Sequence, residues 1–70
     1  MNISVVVPCY NEHDNIAELY ERLINTFNKN KLALDKIILI DDGSQDNTWK
    51  KISQLQQLNK EKILGIKNEQ

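Results

Sequence analysis

Two apolar runs, Ile3-Ser4-Val5-Val6-Val7 and Lys36-Ile37-Ile38-Leu39-Ile40, each give way abruptly to a polar cluster rich in turn-forming residues. Runs of this length, dense in β-branched residues and short of polar alternation, read as strands of a parallel sheet covered on both faces. They predict helices on each side of the sheet. The first run stops at Pro8, and the second enters Asp41-Asp42-Gly43-Ser44. Between them Ile16, Leu19, Tyr20, Leu23, Ile24 and Phe27 recur at the spacing of an amphipathic helix. Asn11 or Asp14 is its expected N-cap, with Glu12, Asp14 and Glu18 placing acid near the positive helix end. A second stripe, Trp49, Ile52, Leu55 and Leu58, predicts another helix, capped by Ser44, Asp46 or Asn47 after a tight turn at Gly43. Lys62 to Ile66 completes a β-α-β-α-β pattern with a third strand. No repeat, low-complexity tract or linker divides residues 1–70, so the chain reads as one α/β unit, half of an open, mainly parallel sheet.

Composition narrows what such a unit can do. The chain has 70 residues, and a domain of about 60 residues buries only about 60% of its unfolded surface, so one small core is the ceiling. Nine basic against ten acidic residues leave a net charge of -1, which excludes the basic field of a nucleic-acid module. No apolar run approaches the roughly 18 residues of a membrane span. The lone Cys9 excludes an internal disulfide or a multi-cysteine metal site and fits a reducing compartment. Met1-Asn2-Ile3-Ser4 lacks the basic and apolar regions of a secretory signal, so a cytoplasmic location is expected.

Right-handed crossovers set sequential strands side by side, and open α/β sheets bind ligands beyond the carboxyl ends of their strands. Both polar clusters, Cys9 to Asp14 and Asp41 to Asp46, belong at that edge. Asp41 and Asp42 are like charges at the exit of an apolar strand, where a ligand donor or a cation would offset their repulsion. Such a carboxylate can accept an N–H of a base or bind ribose hydroxyls. The alternative is that both residues shape the turn and cap the next helix, although one Asp suffices for a cap. Pro8-Cys9-Tyr10-Asn11-Glu12 combines a fixed backbone, an aromatic plate, an amide and a carboxylate, a set able to sandwich a base and hold its sugar. Its alternative has Tyr10 packed under the sheet edge, with Asn11 and Glu12 starting the helix.

Other chemistries lack their residues. Neither G-x-G-x-x-G nor a P-loop follows the first strand, so the backbone cradle for pyrophosphate is missing. His13 has no second histidine and reads as solvated. Cys9 has no base beyond His13 and reads as a small buried filler. Trp49 falls in phase with the core stripe, and Lys29, Lys31, Lys36, Lys60 and Lys62 read as solvated surface.

Val5-Val6-Val7-Pro8-Cys9-Tyr10-Asn11-Glu12, then Asn15-Ile16 and Leu19-Tyr20-Glu21-Arg22-Leu23, then Ile40-Asp41-Asp42-Gly43-Ser44-Gln45-Asp46-Asn47-Thr48, resemble in that order the start of the family 2 glycosyltransferases. The wording is most similar to the branch that moves a sugar from a nucleotide onto dolichyl or undecaprenyl phosphate. The resemblance implies a GT-A fold, with a nucleotide-diphosphate sugar, most often a UDP-sugar, lying over the carboxyl ends of the first strands. It implies that Pro8, Tyr10 and Glu12 line the nucleoside, that Asp42 accepts the base N–H, and that Asp41 supports the loop or the ribose.

Departures from the family pattern are equally informative. Members carry an Asp-x-Asp motif on a later strand that holds Mg²⁺ or Mn²⁺ against the diphosphate, and a further carboxylate that serves as general base. Neither lies within these residues, and the Asn-Gly that usually follows the third strand is replaced by Asn68-Glu69-Gln70. The expectation is therefore a piece truncated after the third strand, with no catalytic residue and no metal ligand of its own, probing nucleotide without transferring sugar. A lipid acceptor and the cytoplasmic face of a membrane are implied for the full-length form. The open sheet predicts self-association through its exposed edge. The residues leave two other readings. A signalling module with an acid pair, as in receiver domains, needs a further Asp on a later strand, and residues 63–70 contain none. A structural remnant that binds nothing is the other.

Overall fold

The computed structural model describes residues 2–68 and contains β1 (Asn2–Cys9), α1 (Ile16–Lys29), β2 (Ala33–Asp42), α2 (Thr48–Leu58) and β3 (Ile63–Asn68). Glu69 and Gln70, part of the departure noted after the third strand, lie outside the described residues. The three strands pair in the order β1-β2-β3, all parallel. The β-α-β-α-β reading therefore holds.

The expectation of helices on both faces does not. Cys9, Ile37, Leu39 and Ile63 from the strands form a single buried cluster with Ile16 of α1 and Ile52 of α2. Both helices thus cover the same face. The physical reason is topological: two crossovers of one hand that advance the sheet in one direction return on one side. The opposite face carries Val6, Ile38 and Leu64 in one row and Pro8, Ile40 and Ile66 in the next, by the observed register. Val6 is 58% exposed, Leu64 44% and Ile66 39%. The strands read as continuous apolar runs because both faces are apolar, yet only one is covered here.

Two boundaries also differ. β1 does not stop at Pro8 but continues through it to Cys9, with Pro8 level with Ile40. An edge strand tolerates proline because the missing N–H can face away from the ladder. α1 begins with Asn15 at its N-cap, and neither Asn11 nor Asp14 caps it. The Glu12 carbonyl instead accepts from Asn15 N at 2.9 Å and Ile16 N at 3.1 Å. At its other end the chain turns through Lys31 at φ 54°, with Leu32 N bonded to Phe27 O and Lys31 N to Asn28 O. That pair of bonds is a Schellman motif closed by a lysine instead of a glycine.

Some lysines do more than solvate the surface. Lys62 Nζ donates to Leu34 O at 2.7 Å and Lys36 Nζ to Glu61 O, tying the amino-terminal ends of β2 and β3. Tyr20 Oη donates to Asn59 Oδ1 at 3.1 Å, joining α1 to the end of α2. Trp49 packs against the core, with Lys67 Nζ 5.9 Å from its ring centroid. The core is small, so truncating one of its buried isoleucines to alanine costs about 2–5 kcal/mol, a large share of a small domain's stability.

Candidate functional site

The carboxyl ends of β1 and β2 are adjacent, Cys9 pairing with Asp41. Tyr10 follows Cys9 directly at the end of β1, and Asp42 follows Asp41 as the last residue of β2. The loops that follow, residues 10–15 and 43–47, are held to each other by side chains. Asn11 N donates to Ser44 Oγ at 2.9 Å, Glu12 N to Thr48 Oγ1 at 2.9 Å, and His13 N to Asp46 Oδ2 at 3.4 Å. In return Gln45 N donates to Asn11 Oδ1 at 2.9 Å. Asn11 stands at φ 50°, a left-handed conformation that asparagine tolerates better than most side chains.

The aspartate doublet is divided by strand alternation, which sends successive side chains to opposite faces. Asp41 is 1% exposed on the helix-covered face, and its Oδ1 accepts Ser44 N at 3.0 Å. Asp42 is exposed on the open face. Gly43 follows at φ 77°, the conformation the turn needs. Asp41 therefore fixes the turn that carries Ser44.

Tyr10 is 56% exposed and presents its ring to solvent, unlike the reading that packs it under the sheet edge. Glu12 is half-buried, and its Oε2 accepts from Asn15 Nδ2 at 3.0 Å. A carboxylate offers about four lone-pair sites, so acceptor capacity remains. A cleft of about 240 Å³ beside β1 is lined by Val7, Pro8, Cys9, Glu12, Asn15, Ile16 and Leu19. It collects Pro8 and Glu12, whereas Tyr10 and Asp42 lie outside its lining. Cys9 in its lining is buried and donates its thiol to Val7 O. Burial first, then the charges of Glu12 and Asp41, push that thiol's pKa up. A thiol held neutral is a poor nucleophile, which suits the filler role.

The second helix is capped by Asp46. Its Oδ1 accepts Thr48 N at 2.9 Å and the Thr48 hydroxyl, while Asn47, formally at the N-cap, makes no side-chain cap bond. The Thr48 hydroxyl bond, followed by backbone N–H groups of Thr48 and His13 and the nearby His13 ring, holds the Asp46 carboxyl below its usual range against a smaller desolvation effect. His13 is half-buried, its Nδ1 3.0 Å from Asp14 Oδ1. Among the described residues no group of three or more His, Cys, Asp or Glu side chains could hold a metal ion. Asp41 and Asp42 face opposite sides, so they do not form a chelating pair.

Sequence reasoning put both polar clusters beyond adjacent strand ends, where the structure has them, but missed the residues that lock the two loops together. From sequence Asn11 is a helix start or the amide of a base-holding loop, Ser44 shapes the turn or caps the second helix, Asp46 caps it, and Thr48 carries no role of its own. A signal was present: short polar side chains in two loops and at the first residue of α2, all destined for one edge, with more capping groups than one helix start can use.

The sequence model of glycosyl transferase family 2 matches residues 4–70. The chain belongs to that family. Among its relatives, the dolichol-phosphate mannosyltransferase of Pyrococcus furiosus is 38% identical over 55 residues, 79% of this chain and 15% of the relative. The undecaprenyl-phosphate 4-deoxy-4-formamido-L-arabinose transferase of Proteus mirabilis is 33% identical over 91% of this chain and 19% of its own length. A UDP-N-acetylglucosamine–dolichyl-phosphate N-acetylglucosaminyltransferase of Methanococcus voltae is 37% identical over 77% of this chain and 19% of its own. The chain therefore spans about a fifth or less of each of these relatives. In this family 2 glycosyltransferase sequence no helix among the described residues is long and apolar enough to cross a membrane.

Proposed function

We propose that these residues form the nucleoside-binding edge of a family 2 glycosyltransferase that transfers a sugar, with inversion, from a UDP-sugar to a polyprenyl phosphate at the cytoplasmic face of a membrane. The observation that carries the reading is the interlocking of the two loops, which sets Tyr10, Glu12 and Asp42 at one sheet edge. In this reading Tyr10 gives the base a π-face, the exposed Asp42 carboxylate accepts the N–H of the uracil ring, and Glu12 accepts from ribose hydroxyls. Pro8 stiffens the strand end beneath the base. Asp41, buried under its own turn, acts on the loop and not on the ligand. The acceptor class is supported by relatives whose names specify dolichyl or undecaprenyl phosphate, and the donor by the one whose name specifies a UDP-sugar.

The loop amides say which part of the donor belongs here. Successive backbone N–H groups at a helix start make a natural phosphate cradle. Here the N–H groups of Asn11, Glu12 and His13 are taken by Ser44, Thr48 and Asp46. The edge therefore suits the nucleoside better than the diphosphate. The described residues do not fit a Mg²⁺ or Mn²⁺ site.

Titrating the isotopically labelled chain with UDP tests the reading. Signals of Tyr10, Glu12 and Asp42 are expected to shift at millimolar UDP, and added Mg²⁺ is expected to strengthen binding by less than about tenfold, or about 1.4 kcal/mol. Shifts confined to other residues of the folded chain would overturn the assignment, and a larger Mg²⁺ effect would show that the doublet holds metal.

A further inference from the structure

We propose that Asn11, Asp46 and Thr48 are positioning residues of this edge: a polar clasp that sets the separation of Tyr10 and Asp42, and through it the affinity for the donor's nucleoside. The proposal rests on the nucleoside-binding reading above. Its warrant is the direction of each hydrogen bond. Thr48 has one hydroxyl proton, which goes to Asp46 Oδ1, so towards the Glu12 N–H that oxygen acts as acceptor. The relay runs one way, from the Glu12 amide through the threonine hydroxyl to the carboxylate. The other Asp46 oxygen accepts His13 N, so Asp46 receives Thr48 N, the Thr48 hydroxyl and His13 N. A group that meets donors on both oxygens has to be acceptor-only, which an aspartate is and an asparagine is not.

Asn11 closes the other end. Its N–H donates to Ser44 Oγ and its Oδ1 accepts Gln45 N, a two-way bond between residues 11 and 44–45. Those positions lie one residue beyond Tyr10 and two to three beyond Asp42. The bond thus sets the spacing of the two groups proposed to meet the base, without contacting the ligand. Thr48 is 0% exposed, so the middle of the relay is buried while its Asp46 end is exposed, and an unmade hydrogen bond costs most at the threonine. Asn11 is exposed, so its replacement leaves the core intact.

The test compares UDP affinity and amide exchange in the full chain and in Thr48→Val, Thr48→Ser, Asp46→Asn and Asn11→Gly. Glycine keeps the left-handed backbone at position 11 and removes only the amide. Thr48→Val is expected to abolish exchange protection of the Glu12 amide and weaken UDP at least fivefold, with Thr48→Ser within twofold of the parent. Asn11→Gly is expected to weaken UDP to a similar degree while the urea midpoint moves little, a split that a merely structural role would not produce. Should Thr48→Val fail to fold, Asn11→Gly and Asp46→Asn decide the question. UDP binding by the parent together with unchanged affinity in the folded variants would overturn the clasp and leave the site reading standing. No UDP binding by the parent would overturn the site reading and the clasp with it.

Discussion

A β-carbon added to Gly65 would lie 2.6 Å from Ile52 Cγ2, closer than carbon atoms pack. The same atom would lie 2.8 Å from Gln56 Oε1 and 3.4 Å from Trp49 Cζ3. Gly65 N also donates to Gln56 Oε1 at 2.7 Å, so this helix and strand touch backbone to side chain. Glycine at the middle of β3 thus allows α2 to lie directly on the sheet and bury Ile52 completely. Gly65→Ala is expected to destabilise the fold by about 1–3 kcal/mol through overpacking, read as a lowered urea midpoint. An unchanged midpoint would show that α2 can lift from β3 without loss.

Lys31 carries the opposite opportunity. Its φ of 54° closes the α1 Schellman motif in a region that costs an L-residue about 1–2 kcal/mol. Lys31→Gly is expected to raise stability by about 0.5–1 kcal/mol, since glycine's greater unfolded-state freedom returns part of the gain. Thermal unfolding checks this, with Lys31→Ala, which keeps the strain, showing no comparable rise.

The element order was legible because each strand is a dense apolar run and each helix a stripe at helical spacing. Helix placement was not, because apolar runs report that a face can be buried and not whether this stretch of chain buries it. Val6, Ile38 and Leu64 look like core from sequence and lie on the uncovered face. The meeting of the two polar clusters at one edge was legible because both follow the ends of neighbouring strands. The separate fates of Asp41 and Asp42 followed from strand alternation, which continues two residues further than the expected strand end at Ile40. The clasp was not legible because Asn11, Asp46 and Thr48 are equally good local caps, and only the pairing of Cys9 with Asp41 makes their cross-loop bonds possible.

Cys9 should be chemically silent. Burial and the charges of Glu12 and Asp41 raise its pKa above 9.0. At pH 8 the folded chain is expected to react with iodoacetamide roughly tenfold or more slowly than the chain in urea, since the thiolate is the reacting form. Because the folded pKa is the higher one, the neutral thiol's contribution to stability is complete below pH 9.0 and is lost as pH rises through the folded value. Equal alkylation rates in the two states would show that the thiol is open to reagent.

Asp46 titrates in the other direction. The Thr48 hydroxyl, the Thr48 and His13 amides and the His13 ring hold its pKa below 3.8. A depressed carboxylate stabilises the fold above its unfolded pKa, and that contribution is lost as pH falls through the folded one. The clasp is therefore expected to be intact from neutral pH down to about pH 4 and to open only below 3.8, as the carboxyl takes up a proton and loses acceptor capacity. Amide shifts of Glu12, His13 and Thr48 followed from pH 6 to pH 2 should move together, with a common midpoint under 3.8. In Asp46→Asn that transition should disappear, with the three amides already near their acid-limit positions at pH 6. A midpoint at or above 3.8, or a transition that survives in Asp46→Asn, would show that a different carboxyl controls the loops.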